Sequence, residues 1–175
     1  MIPDSRSVVR KAYANVGYSC KGKYNSYAKW IDKNYPTFYN GKKYGIADWC
    51  DIFVDFCVLS IAKNAKDAEY VLCQPSKSAG AGVKWSYQYY KAKKRNTSIP
   101  HYGDQIFLSN KKTKFAHTGI VYKVTAKCVY YIAGNEAVYK NGKRVQKVKK
   151  HKILRSNKKI YAYGRPFYSD WQTIK

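Results

Sequence analysis

Two hydrophobic periods divide the chain at Pro100. Before it, apolar residues recur at intervals of three and four, the spacing of a helix with one buried face. Pro3-Asp4-Ser5 reads as a helix start, Val8, Val9, Ala12 and Val16 supply the apolar face, and Gly17 reads as the stop. A second, short helix is predicted from Ser26 to Lys33, ended by Pro36. The stretch FYNGKKYGIAD is rich in turn formers. A third helix begins near Trp49 and carries Cys50, Phe53, Val54, Cys57, Val58 and Ile61 at helical spacing. The segment SKSAGAG opens a fourth through Trp85, Tyr89 and Tyr90, which ends in the basic KAKKRN. After Pro100 the apolar residues alternate. Strands are predicted at 104–108, 118–124, 128–132 and 159–163, with Asn141-Gly142 as a two-residue hairpin turn. Helices first and strands second give an α+β fold with N-terminal helices packed on an antiparallel sheet. No repeat, low-complexity tract or long linker interrupts it, so residues 1–175 are expected to form one domain.

Composition changes this picture mainly through charge. Lys and Arg number 34 against 10 Asp and Glu, a formal net charge of +24, and Tyr occurs 19 times. Such a field draws a protein toward polyanions without saying which: nucleic acid, anionic lipid and the anionic polymers of a bacterial envelope all qualify. From Val138 to Ile160 there are ten Lys or Arg and no acid, which reads as one basic face.

The five cysteines are odd in number and include no C-x-x-C pair, so a disulfide framework and a zinc site are both disfavoured, and no metal or other cofactor is expected. The N-terminal MIPDSRSVVRK lacks the apolar core of a signal peptide. The longest apolar run, Ile52 to Ala62, is broken by Asp55 and too short to span a bilayer. The expectation is a monomer made in the cytoplasm and released to its place of action by another agent.

The chemistry is carried by three residues in order. Cys50 heads the third helix in WCDIFVDFC, His117 opens the strand HTGIVYKV, and Asn135 ends the strand YYIAGN. A thiol attacks a carbonyl as its thiolate, and an unperturbed thiol, pKa about 8.5, is mostly protonated at neutral pH. A helix N-terminus and a neighbouring imidazolium both favour the anion. Cys50 is placed to have the first, and His117 to supply the second if the sheet packs on that helix. Asn135 would orient the ring through its amide oxygen, and the Cys50 N–H would face a developing oxyanion. Cys57, Cys73 and Cys128 read as small core residues. His101 and His151 read as loop residues without a role. Trp49, Tyr44 and Tyr122 are candidates for substrate contact.

WCDIFVDFC, GDQIFL, HTGIVYKV, YYIAGN and the closing YGRP together resemble the CHAP domain, the cysteine- and histidine-dependent amidohydrolase/peptidase of phage endolysins and Gram-positive cell-wall hydrolases. The resemblance covers roughly residues 8–167. It implies a papain-like fold of the NlpC/P60 group and cleavage of an amide bond in peptidoglycan, either muramoyl-alanine amidase or peptide endopeptidase. It also implies Cys50 as nucleophile, His117 as general base and acid, and Asn135 as orienting group. The chain departs from the family in one place: many relatives carry glutamate where Ala133 stands here, so restoring it by Ala133→Glu is expected to raise or preserve turnover. Glu136, one residue past Asn135, would point to the opposite face of a continuing strand. Asp48, two residues before Cys50, would oppose formation of an anion there.

With no separate wall-binding domain expected, the basic 138–160 region is the expected contact for anionic wall polymers. Two other readings stay open. One is a basic nucleic-acid-binding protein that uses its aromatic residues for base stacking. The other is a papain-like effector acting on an amide outside the wall.

Overall fold

Caps and turn residues set the element boundaries. In a computed structural model, which describes residues 1–21 and 24–170, Asp4 accepts from the Ser7 N–H at 2.8 Å and starts α1 (Ser5–Ala14). Asn25 does the same for Ala28 at 2.8 Å and starts α2 (Ser26–Asn34). The third helix, α3 (Cys50–Leu59), is buried at every position, Asp51 and Asp55 included, so it leaves no face to solvent. Then come α4 (Ala65–Val71) and α5 (Val83–Ala92). Seven strands are described: β1 (Ser19–Lys21), β2 (Asn96–Thr97), β3 (Gln105–Leu108), β4 (His117–Val124), β5 (Cys128–Lys140), β6 (Lys143–Leu154) and β7 (Ile160–Gly164). They form one sheet in the order β1-β6-β5-β4-β3-β7-β2, with each neighbouring pair antiparallel. The fold is α+β.

α3 is the centre of the packing. It lies against β4 and β5, with the other four helices around it. Ile120 and Ile132 pair across β4 and β5 and join the cluster around α3. Val121 and Tyr131, next along each strand, point the other way into a cluster with Ile106 and Tyr163. Both faces of the sheet therefore bury side chains. Two carboxylates also sit inside on α3. Asp51 accepts from the Gly82 N–H (2.8 Å), Ser86 Oγ (2.9 Å) and Gln105 Nε2 (3.0 Å), which ties the helix to α5 and β3. Asp55 accepts from the Tyr39 hydroxyl at 2.7 Å. Burial raises both carboxyl groups, Asp55 well above its ordinary value, with Asp51 pushing it further.

Gly134 sets how close β5 comes to this helix. A Cβ there would stand 2.5 Å from Trp49 Cζ3 and 2.8 Å from Phe53 Cβ, so only glycine allows the approach. The hairpin turn falls on Asn141 (φ 49°) and Gly142 (φ 72°), the pair of left-handed residues that a two-residue hairpin requires.

Three features depart from the periodic reading. β5 runs to Lys140 rather than stopping at Ile132, because the tight turn lets the ladder with β6 continue to Lys140↔Lys143. The short elements α4, β1 and β2 are additions that hydrophobic periodicity does not predict. The 138–160 region is not one basic face: strand alternation puts Arg144, Lys150 and Lys152 of β6 on one side and Lys143, Lys147 and Lys149 on the other. Among the described residues, no helix is long and apolar enough to cross a membrane.

Candidate active site

Cys50 is the first residue of α3 and 6% exposed, at the rim of a small cluster with Val83, Tyr87 and Phe107. The helix start behind it carries no side-chain cap, a feature shared with α5. Asp4, Asn25 and Asn64 cap α1, α2 and α4 with their side chains, whereas Trp49, the residue before Cys50, makes no side-chain cap bond. The first-turn N–H groups of α3 thus meet no capping side chain from Trp49.

The Cys50 side chain stands beside the His117 ring and favours its protonated form. His117 stands at the first position of β4, paired with Leu108 of β3. Its Nε2 lies 2.6 Å from Glu136 Oε1, which leaves Nδ1 as the ring nitrogen for the sulfur. Burial works against charge on this ring, but the contacts with Cys50 and Glu136 outweigh it and raise His117 to about 10. Burial would likewise raise Glu136, yet His117 and His151 hold it well below the usual carboxylate range. The result is an imidazolium–carboxylate pair beside a thiol on a helix N-terminus.

Here the group holding the ring is Glu136, not Asn135, and the reason is a β-bulge. Across β5 and β6, Ala133 pairs with Lys149 but Glu136 pairs with Lys147, so three steps on β5 answer two on β6. Asn135 absorbs the extra residue with φ 60°, a left-handed conformation that asparagine tolerates. The slip turns Glu136 onto the face of Tyr131 and Ala133 instead of the opposite one. Asn135 donates from Nδ2 to Asp48 Oδ1 at 3.2 Å, and its own Oδ1 is buried with no hydrogen-bond partner among the described residues. The same contact holds the exposed Asp48 carboxylate.

His151 belongs to the constellation as well. It lies on β6 opposite Tyr131, stacks on that ring (centroids 4.9 Å, planes 19° apart), and brings Nε2 to 2.9 Å from the same Glu136 oxygen. Neither Glu136 nor His151 is placed in the site by the sequence pattern. Gly134-Asn135 inside a strand pattern is the one sequence signal of the bulge that recruits them.

The aromatic candidates fare differently. Trp49 is 0% exposed and packs on Tyr18, Tyr27 and Gly134, so it is a core residue and not a substrate contact. Tyr122 packs edge-on against Tyr13 at 5.0 Å. It stands five strand positions from His117, about 16 Å along β4, and so lies outside the site. Tyr44 is half-buried against Tyr39. The other four cysteines are buried and free of disulfides, with burial raising Cys57 above its ordinary value and Cys73 to about 12. Among the described residues no cluster of histidine, cysteine and carboxylate side chains is arranged to hold a metal ion.

No protein-family model matches the chain, and no curated protein matches it. Among solved structures it is similar to the crystal structure of Ly7917, with a TM-score of 0.49 and 12% sequence identity. The match covers 93% of this chain and 62% of that one. A likeness so distant fixes neither the fold family nor the chemistry.

Proposed function

We propose that this chain is a cysteine-dependent amidohydrolase of papain-like fold that cuts an amide bond of peptidoglycan. The observation that carries the reading is the chain of contacts from Cys50 through His117 to Glu136, built on a helix start without a side-chain cap. The CHAP resemblance supplies the substrate class.

In this mechanism the proton given up by Cys50 resides on His117, where Glu136 stabilises it. The sulfur attacks the amide carbonyl, and the oxyanion is met by N–H groups at the start of α3. The C–N bond breaks as the imidazolium delivers its proton to the leaving amine. Water, deprotonated by the now neutral ring, then attacks the thioester, which releases the carboxylate product and returns the proton to the Cys50–His117 pair. Glu136 fixes the ring and its charge throughout.

Replacing Cys50 with alanine is expected to stop the clearing of a Gram-positive cell-wall suspension; undiminished clearing would remove the proposal. The nucleic-acid reading is less well supported. Lys123 and Lys152 lie over the Tyr130 ring at 5.3 and 5.7 Å, and Lys150 over Tyr13 at 5.5 Å, so ring faces that would stack bases already carry ammonium groups.

A further inference from the structure

The tetrapeptide Ser-Asn-Lys-Lys occurs twice, at 109–112 in the β3–β4 loop and at 156–159 in the β6–β7 loop. The fold brings the two copies face to face. They line one cleft of about 640 Å³ with Leu154 on its wall, a volume within the ~300–1,000 Å³ range of ligand sites. Both copies share one side-chain turn. Asn110 Oδ1 accepts from the Lys112 N–H at 2.8 Å, and Asn157 Oδ1 accepts from the Lys159 N–H at 2.9 Å. The loops are tied together where the Ser109 N–H and Oγ both donate to the Lys159 carbonyl, at 2.8 and 3.1 Å. Lys111, Lys158 and Lys159 stand exposed around the opening. Residues 109–116 and 155–159 hold six Lys or Arg and no acid, so nothing within these loops neutralises the cations.

We propose that this twin-loop cleft binds a phosphodiester polymer built on polyol or sugar units. The exposed ammonium groups meet the phosphates, and the serine hydroxyls and asparagine amides meet the hydroxyls between them. Among the described residues no aromatic ring lines the cleft, so it offers a base nothing to stack on, which separates this ligand from single-stranded nucleic acid. The β3–β4 loop ends on His117, so a polymer held here lies beside the strand end that carries the candidate site. That such a polymer is wall material rests on the hydrolase reading; the binding does not.

The test measures binding of fluorescent poly(glycerol phosphate) by anisotropy across a salt series, using Cys50→Ala protein so that hydrolysis plays no part. The cleft variant Lys111→Gln/Lys158→Gln/Lys159→Gln is compared with Lys123→Gln/Lys150→Gln/Lys152→Gln, which removes the same charge from the tyrosine-bearing surface. The cleft variant is expected to bind at least about tenfold more weakly and to lower the salt slope by about 2, at ~0.7 for each phosphate no longer neutralised. The control should change affinity less than about threefold. Equal weakening by both variants would mean attraction by net charge alone and would overturn the site. Cleft-dependent binding of a thymidine oligonucleotide with equal affinity would overturn the ligand assignment. Loss of wall hydrolysis by Cys50→Ala with this binding intact separates the two proposals.

Discussion

Glu136 Oε1 is approached by two imidazole nitrogens, His117 at 2.6 Å and His151 at 2.9 Å. Glu136→Gln keeps the size of the side chain and removes the charge that fixes the ring. In the proposed mechanism this lowers turnover by on the order of 10²–10⁴-fold, as the loss of an orienting carboxylate does elsewhere. Asn135→Gly keeps the left-handed backbone and removes only the amide, and should cost less than about tenfold. Rates of cell-wall clearing by the two variants check this, and the reverse ranking would return the orienting role to Asn135. The same pair makes stability depend on pH. Because His117 is raised from 6.5 to about 10, its contribution is complete below pH 6.5 and disappears as pH climbs through about 10. Glu136 is lowered, so its contribution is present above its ordinary value of 4.5 and is lost only in stronger acid. Between about pH 6 and about pH 10.5, thermal melting of the wild type should fall further than that of the His117→Gln/Glu136→Gln double variant. Parallel falls would show that the ion pair does not form. Ala133 is fully buried on the face that Glu136 occupies. A glutamate there would bring a second carboxylate to the site, so the gain expected from sequence alone gives way to an expected loss.

The spacing between α3 and β5 brings these residues together. It depends on Gly134, over which Trp49 and Phe53 close. Gly134→Ala should destabilise the protein by about 1–3 kcal/mol through overpacking. It should also lower activity, because the helix carrying Cys50 must move off the strand carrying Glu136. Unchanged melting and activity would contradict this packing. Elements with strong local signals were legible in the sequence. α1 is announced by Asp4 and an apolar face, α3 by apolar residues at helical spacing, and the β5–β6 turn by Asn141-Gly142. The bulge was not, because alternation carried past Ala133 places Glu136 on the wrong face, and the extra residue shows only where β6 supplies a register. β1 was hidden for a similar reason: three residues carry no period, and only pairing with β6 makes Ser19–Lys21 a strand. The Cys50–His117 contact was readable in outline, since a helix start and a strand start needed only the sheet to pack on the helix. The third partner depended on register, and His151 on a strand that the lysine-rich sequence disguised.

Across the whole molecule, charge and chemistry are arranged differently. The basic residues behind the net charge of +24 are spread over the helical half of the chain, both faces of β6 and the loops between strands, while the candidate catalytic groups are largely buried where α3 meets the sheet. A diffuse positive field speeds encounter with an anionic surface, but it selects neither the bond nor the chemistry. Selection has to come from the site, and so the decisive observation is of bonds cut. Mass spectrometry of fragments released from purified peptidoglycan, by wild type and by Cys50→Ala, makes that observation. The account predicts new stem peptides free of sugar, or new free amines within the peptide, from the wild type and none from the variant. Identical fragment patterns from the two proteins, or none from either, would contradict it.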